Sequence, residues 1–248
     1  GERMKLEARV SVPVIKNLIS TLEKIAEEAV FRFSPDGLKI NIVCANRFKM
    51  VDAWLQPAAF ASYDCEGDIE LGVVIDRIKD ITKTLTTKDE LLMTFEDGKF
   101  SLVANGIRRV IKLLRLEYMN KLTDVPNFEY TFTLNTSSKE VRDYLKTLGK
   151  TVAFDSIVRK KSDLEIVWIS KNDEEPIEWK PDLESEDRTA TFSDVSSTTY
   201  TTDEVLSAVA ATIRSQPILI QGGMDIPLRF DWQPYDGVRI ISIVANRR

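Results

Sequence analysis

The chain reads KNLISTLEKIAEEAVFRFSPDGLKINI at Lys16–Ile42 and KEVRDYLKTLGKTVAFDSIVRKKSDLEIVWI at Lys139–Ile169. Each stretch is typical of an amphipathic helix that is followed by a strand, a turn and a second strand. Each half of the chain also closes with a strand that runs into Val-Ala-Asn, at Val103–Asn105 and at Val244–Asn246. The period is too long for a solenoid, whose repeats span about 20–50 residues. We therefore expect two similar domains, at residues 1–114 and 127–248, joined by a connecting loop at 115–126.

Apolar periodicity predicts two helices and several strands in each half, which is an α+β pattern. The first helix is expected to start at Pro13 and to carry its apolar face as far as Ala29. The other predicted helices are Ile75–Leu85, Ser137–Lys150 and Asp203–Ile213. Ser137 or Ser138, together with Glu140, resembles a capping arrangement at the start of the third helix.

Composition excludes several classes of function. The 248 residues contain no histidine, which removes histidine-based acid–base catalysis and the commonest metal ligand. No phosphate-binding loop, dinucleotide fingerprint or nucleophile elbow is present. The two cysteines, Cys44 and Cys65, are too few for a disulfide framework and lack metal-ligand spacing. We expect no enzymatic activity, no cofactor, no metal and no membrane segment, and an intracellular location.

The net charge of −5 argues against nucleic-acid binding, but the distribution of the charge argues for it. Four basic residues lie 3, 4 and 4 positions apart on the third helix: Lys139, Arg142, Lys146 and Lys150. At about 100° per residue they form one stripe, opposite the apolar stripe of the same helix. A stripe of this kind binds phosphates without reading base sequence. A solvated helix face with no ligand is the alternative interpretation.

Several segments together resemble DNA sliding clamps of the proliferating cell nuclear antigen (PCNA) family, most closely the archaeal ones. They are LEARV at Leu6–Val10, MVDAWLQPAAFASYDCEGDIELGVVIDRIKDI at Met50–Ile81, Val125-Pro126, IPLRFDW at Ile226–Trp232 and GVRIISIVANRR at Gly237–Arg248. The resemblance covers essentially the whole chain.

The resemblance implies a clamp (processivity) fold, with helices that line a channel and antiparallel sheets outside, and a ring of three chains around double-stranded DNA. It implies a processivity factor for DNA polymerase and also tethering of the clamp loader (replication factor C), flap endonuclease and DNA ligase through PIP-box peptides. It places the protein on DNA, in the cytoplasm of an archaeal cell or in the nucleus of a eukaryote. A homotrimer is expected, and a ring of mixed subunits stays open.

The resemblance also implies three groups of site residues. The expected DNA-binding residues are Lys16, Arg77, Lys83, Lys139, Arg142, Lys146 and Lys150. The expected peptide pocket comprises Val43, Arg47, Phe48, Met50, Leu122, Val125, Pro126, Ile226, Pro227, Val244, Ala245 and Asn246. Its apolar members could instead be plain core. The expected subunit interface pairs Arg108, Arg109 and Lys112 with Glu174, Glu175 and Glu178, on strands at Arg108–Leu114 and Glu174–Lys180; ordinary surface strands are the alternative.

The chain departs from the family pattern at four places. Cys44 stands where aspartate is usual, and Val244–Arg247 replaces a Leu-Ala-Pro tail that is followed by a basic residue. Ala210 and Glu23 occupy positions that often carry a basic residue. These departures favour an alternative function as a divergent clamp subunit, or as a recruitment scaffold with weak DNA contact.

Overall fold

The computed structural model describes residues 3–171 and 174–248. The chain divides into two compact units. Unit 1 comprises residues 1–43, 51–123 and 235–240, and unit 2 comprises residues 44–50, 124–234 and 241–248. The domain boundaries expected from the sequence, 1–114 and 127–248 with the connecting loop 115–126, stay a prediction.

Unit 1 contains two helices and two groups of strands. Its elements are β1 (Lys5–Ser11), α1 (Val12–Glu23), β2 (Glu28–Ser34), β3 (Gly37–Val43), most of β4 (Lys49–Leu55), β5 (Ser62–Glu66), β6 (Ile69–Val74), α2 (Ile75–Thr82), β7 (Glu90–Glu96), β8 (Lys99–Ala104) and β9 (Ile107–Ile111). One sheet has the order β5-β1-β7-β8-β9, and β2 pairs antiparallel with both β3 and β6. Helices α1 and α2 pack side by side.

Unit 2 repeats this order of elements. They are β10 (Phe132–Ser137), α3 (Ser138–Leu148), β11 (Ala153–Lys160), β12 (Leu164–Ser170), β13 (Glu178–Trp179), β14 (Thr189–Phe192), β15 (Ser196–Thr201), α4 (Thr202–Val209), β16 (Pro217–Gly222), β17 (Leu228–Trp232) and part of β18 (Val238–Val244). Its strands lie in the orders β13-β12-β11-β15 and β14-β10-β16-β17, and α3 packs against α4. The α+β fold class is confirmed.

The turn between β2 and β3 depends on a glycine. Gly37 has a φ of +115°, and a side chain there would collide with the carbonyl oxygen of Leu55. The Pro35-Asp36-Gly37 sequence therefore makes the hairpin that the sequence predicts, since only glycine meets both demands.

All four helices end earlier than predicted, and α3 ends at Leu148 rather than at Lys150. Helix α1 ends at Glu23, and the N–H of Ile25 then bonds to the carbonyl of Leu22 at 2.9 Å, so that Ala29 lies in β2 rather than on the helix. Helix α2 ends at Thr82 and α4 at Val209, where the predictions were Leu85 and Ile213. Beyond α1 and α2, Ile25 and Leu85 still lie in the core, whereas beyond α4 Ala210 is exposed and Ile213 is half-buried.

Candidate functional site

Helix α3 begins and ends at residues with identifiable roles. The hydroxyl of Ser137 accepts a hydrogen bond from the N–H of Lys139 at 3.2 Å, which makes Ser137 the N-cap. Gly149, with a φ of +55°, ends the helix in a conformation that side chains disfavour. The apolar face, formed by Val141, Tyr144, Leu145 and Leu148, is buried. The opposite face is consequently turned away from the core.

Of the predicted basic stripe, Lys139 and Lys146 lie exposed on α3, whereas Lys150 is exposed but lies beyond the end of the helix at Leu148. The ammonium of Lys139 lies 2.5 Å from a carboxylate oxygen of Asp143. This hydrogen bond, helped by the charges of Lys139, Lys146 and Arg142, lowers the pKa of Asp143. Asp143 therefore stays ionised and offsets part of the positive charge at the start of the stripe.

Arg142, the fourth member of the predicted stripe, is half-buried and engaged within its own unit. Its Nη1 donates to the carbonyl oxygen and to the hydroxyl of Thr212, each at 2.6 Å, and its Nη2 donates to the carbonyl oxygen of Arg214. These acceptors lie just beyond the end of α4. Arg142 thus joins α3 to the segment 210–216, a role that the helical spacing does not indicate.

Unit 1 carries the other predicted DNA-binding residues. Lys16 on α1 is exposed and donates from Nζ to the carbonyl oxygen of Leu85 at 3.0 Å. Lys83 follows α2, and its Nζ lies 3.5 Å from a carboxylate oxygen of Asp80. Arg77 on α2 is exposed. All three predicted cations of this unit are accessible to solvent.

Glu23, one of the four departures from the family pattern, has a partner in its own unit. Its carboxylate lies 2.7 Å from the ammonium of Lys79 on α2. This hydrogen bond and the charge of Glu23 raise the pKa of Lys79. The pair joins α1 to α2 and reduces the positive charge available on α2.

The segment that precedes β4 forms a tight turn around Cys44. The thiol of Cys44 donates to Oδ1 of Asn46 at 2.7 Å and accepts from the N–H of Lys49 at 3.1 Å. Arg47 adopts a φ of +60° in this turn. The cysteine therefore organises the turn as both donor and acceptor, whereas an ionised carboxylate at the same position could only accept.

Several predicted peptide-pocket residues lie in unit 2. The carbonyl of Phe48 accepts a hydrogen bond from the N–H of Ala245 at 2.8 Å, which joins the Cys44 turn to the C-terminal strand. The carbonyl of Ile226 accepts from the hydroxyl of Tyr200 at 2.7 Å. The half-buried members in this unit are Phe48, Val125, Pro126, Ile226, Pro227, Ala245 and Asn246.

The remaining predicted pocket residues differ widely in exposure. Met50 and Val244 are buried, as expected of core residues, and Arg47 is exposed. In unit 1, Val43 is half-buried and the side chain of Leu122 is 56% exposed. An exposed leucine in an irregular segment is typical of a contact site rather than of a core.

Of the predicted subunit-interface residues, Arg108 and Arg109 lie on β9 and Glu178 lies on β13, whereas Lys112, Glu174 and Glu175 lie beyond the ends of these strands, which are shorter than predicted. Strand β9 is an edge of the five-stranded sheet, and β13 is an edge of a four-stranded one. Arg109 lies 3.7 Å from Asp80, and Glu178 lies 3.8 Å from Arg159, so both already have partners within the chain. The fully exposed members are Arg108, Lys112, Glu174, Glu175 and Glu178.

Sequence reasoning missed two apolar residues on β9. Ile107 is 62% exposed and Val110 is 56% exposed. On an edge strand, exposed apolar side chains indicate a surface for protein contact. The Ile-Arg-Arg-Val sequence of β9 contains both apolar residues, but the two arginines between them make the segment look like a charged surface strand.

Metal-binding clusters and membrane-spanning helices are both missing from the described residues. Across residues 3–171 and 174–248, no cluster of three or more cysteine, aspartate or glutamate side chains could hold a metal ion. None of the helices in that part of the chain is long and apolar enough to cross a membrane.

Comparisons with known proteins agree with the resemblance. The family profile described as "Proliferating cell nuclear antigen, N-terminal domain" matches residues 5–125. A protein of Thermococcus sibiricus named DNA polymerase sliding clamp is 21% identical over 234 residues, 93% of each chain.

Two solved structures share the fold. One, titled "C-terminal region of FEN-1 bound to A. fulgidus PCNA", has a TM-score of 0.87 at 17% identity and covers 98% of each chain. Another, a PCNA2–PCNA3 complex from Sulfolobus tokodaii, has a TM-score of 0.84 at 17% identity over 97% of this chain and 99% of that one.

The duplicated α+β fold, with a basic helix face in unit 2, defines the class of DNA sliding clamps. Residues 5–125 belong to the PCNA N-terminal domain family, and 93% of the chain is similar to an archaeal DNA polymerase sliding clamp.

Proposed function

We propose that three copies of this chain form a ring that encircles duplex DNA, slides along it and tethers replication and repair enzymes. The relatives named DNA polymerase sliding clamp support this proposal because they match 93% of the chain. The ring itself would do no chemistry. Its contribution is to raise the effective concentration of each partner at DNA. The protein would therefore be found with DNA in the cell.

The observation that carries the proposal is the exposed basic face of α3. Lys139 and Lys146 project from a helix whose other face is buried, and the exposed Lys150 follows the end of that helix. Cations in such a row contact phosphates and release counterions, and the contact does not depend on base sequence. A clamp needs this property because it must slide.

The proposed partners are DNA polymerase, the clamp loader, DNA ligase and a flap endonuclease, each bound through a PIP-box peptide. The structure of A. fulgidus PCNA with the C-terminal region of FEN-1 supports the flap-endonuclease partner. The pocket would be formed by the predicted residues around Phe48, Val125 and Ala245.

Replacing Lys146 by glutamate tests the contact with DNA. We expect Lys146→Glu to weaken retention on nicked circular DNA and to reduce the slope of log affinity against log salt by about one for each phosphate that is no longer neutralised. The melting temperature should stay unchanged because the side chain is exposed. Lys160→Glu, an exposed charge reversal in the same unit, is the control. A large loss of thermal stability in Lys146→Glu, or equal retention of both variants, would contradict the proposal.

Replacing Phe48 by alanine tests the peptide pocket. Phe48 is half-buried beside the tail residue Ala245. Removing such an aromatic anchor should weaken binding of a PIP-box peptide about tenfold or more, as measured by fluorescence anisotropy. Phe192→Ala, a half-buried aromatic on β14, should leave the affinity unchanged. Wild-type affinity in Phe48→Ala would remove this residue from the pocket.

A recruitment scaffold with weak DNA contact is the second candidate. Helix α4 favours it because Asp203 and Glu204 lie in its first turn and it has no basic residue in its last turn. The pairing of Glu23 with Lys79 also favours the scaffold, because it reduces the positive charge available on α2. Retention on DNA that is independent of salt and of Lys146 would support the scaffold.

A further inference from the structure

Unit 2 contains a cavity of about 690 Å³ that shares only Lys150 with the proposed DNA-binding residues. It lies between the loop that follows α3, the start of β11 and the tail that follows β18. Its lining includes Lys150, Val152, Lys171, Thr199, Arg247 and Arg248. Four of the eight residues that line the cavity are cations, although the chain as a whole is acidic.

The positive charge of the cavity is not balanced from within. The nearby carboxylate is that of Asp155, which accepts a hydrogen bond from the hydroxyl of Thr199 and lies 3.5 Å from the ammonium of Lys171. The lining residues thus include four cationic side chains and no aspartate or glutamate side chain. A partner that brings negative charge would gain from this imbalance, and the gain would fall as salt rises.

The walls of the cavity are held by main-chain hydrogen bonds. The N–H of Arg247 donates to the carbonyl of Thr199 at 2.8 Å, and the N–H of Lys171 donates to the carbonyl of Ala153 at 3.0 Å. The tail and the loop therefore form a prepared surface, which reduces the ordering that binding would require.

Two features favour a polypeptide over a nucleic acid as the occupant. The side chain of Val152 is 66% exposed among the cations, and an apolar contact of this kind serves a peptide side chain but not a phosphate. The tail that supplies Arg247 also supplies Ala245, which is bonded to Phe48 in the predicted peptide pocket. A peptide bound at Ala245 would reach the cavity within about two residues along the tail.

We propose that this cavity binds an acidic segment of a partner polypeptide, adjacent to its PIP-box. The proposal rests on the proposed function, since the PIP-box would bring the acidic segment to the cavity. The proposal predicts a binding preference of this chain. It should prefer partners whose PIP-box is flanked by glutamate or aspartate and an apolar residue over partners with neutral flanks.

The experiment measures binding of the full-length protein to two synthetic peptides that share one PIP-box. One peptide carries a glutamate-rich flank with a single leucine, and the other carries the matching glutamine flank. We expect the acidic peptide to bind about fivefold more tightly at low salt, since each exposed ion pair contributes a modest amount. The double variant Lys171→Gln/Arg248→Gln should lose this preference and keep its affinity for the neutral peptide.

Lys160→Gln is the matched control because Lys160 is an exposed lysine at the far end of β11 from Ala153. It should retain the wild-type preference. Equal binding of the two peptides by the wild type would overturn the proposal and leave the proposed function standing. A preference that survives in the double variant would overturn it as well. A double variant that keeps the preference but loses retention on nicked circular DNA would assign the cavity to nucleic-acid phosphates.

The failure of the proposed function has a different signature. If neither PIP-box peptide binds, the tethering proposal fails. Binding of a peptide that consists of the acidic flank alone then tests the cavity. Binding of that flank by the wild type, with loss in Lys171→Gln/Arg248→Gln, would support the cavity as an acidic-peptide site. Absence of binding to the wild type would overturn it.

Discussion

Glu140, in the first turn of α3, has more than a local capping role. Its Oε2 accepts from the hydroxyl of Thr136 at 2.6 Å and from Nε of Arg188 at 2.8 Å, and its Oε1 lies 2.7 Å from Nη2 of Arg188. Burial alone would raise the pKa of Glu140, but these hydrogen bonds and the charge of Arg188 lower it. The pair links α3 to the segment before β14.

Replacing Glu140 by glutamine should make stability less dependent on pH. A carboxyl group whose pKa is lowered in the folded state adds stability above its unfolded pKa, and this is lost as pH falls through the folded pKa. We expect Glu140→Gln to cost about 1–2 kcal/mol at neutral pH. The difference from the wild type should shrink towards about pH 3. Urea unfolding of both proteins between neutral pH and about pH 3 measures this difference in stability. Glu129→Gln, at an exposed position, is the control. A difference that stays constant with pH would contradict the prediction.

At the scale of residues, the sequence predicts exposure better than it predicts partners. The helical spacing correctly separates the exposed Lys139, Lys146 and Lys150 from the buried face of α3. It cannot reveal that Arg142 is engaged, because the acceptors lie 70 and 72 positions along the chain. Only the packing of α3 against α4 brings them together.

At the scale of elements, the end of α4 depends on α3. The N–H of Thr212 bonds to the carbonyl of Val209 at 3.1 Å, and the carbonyls of Thr212 and Arg214 are held by Arg142. The hydroxyl of Ser138 donates to the carbonyl of Arg214 at 3.0 Å as well. The segment 210–216 is therefore fixed by side chains of α3 rather than by continuing its own helix.

Removal of Arg142 should loosen this segment specifically. Arg142→Ala removes hydrogen bonds from a charged donor, worth about 2 kcal/mol in total for a half-buried group. We expect amide hydrogen exchange in residues 210–216 to become about thirtyfold faster. Lys146→Ala, one turn along the same helix, is the control because its side chain is exposed. Unchanged exchange in Arg142→Ala, with reduced DNA retention alone, would make Arg142 a simple phosphate contact.

The strands that sequence reasoning missed or shortened are the polar ones. Strand β5, Ser62–Glu66, is an edge strand whose residues are all exposed or half-buried, so that it shows no apolar alternation. The prediction for β11 stopped at Phe154, although the strand continues to Lys160 with Ser156 buried. Pairing with neighbouring strands, rather than local composition, makes both segments extended. The apolar strands match the bounds that the sequence pattern predicts, which are Ile69–Val74 for β6, Leu164–Ser170 for β12, Leu228–Trp232 for β17 and Val238–Val244 for β18.

At the scale of the whole molecule, the sequence indicates the duplication but not the assembly. The amino-acid sequence itself shows the repetition of strand, helix and hairpin, at Lys16–Ile42 and at Lys139–Ile169. A ring depends on how two surfaces of different chains fit, and no local pattern encodes that fit. A head-to-tail contact closes into a ring only when its rotation closes, and exposed edge strands supply surfaces for such a contact.

The assembly prediction is that the protein alone has the mass of three 28.2 kDa chains in light scattering across a dilution series. The exposed Arg108 on β9 should face the exposed Glu175 of a second copy, with Ile107 and Val110 adding apolar contact. Arg108→Glu should therefore lower the mass, because like charges repel across an interface. The double variant Arg108→Glu/Glu175→Arg should restore it, whereas Lys160→Glu should leave it unchanged. A monomeric wild type would mean that a different chain completes the ring, and a failed restoration would place the contact away from Glu175.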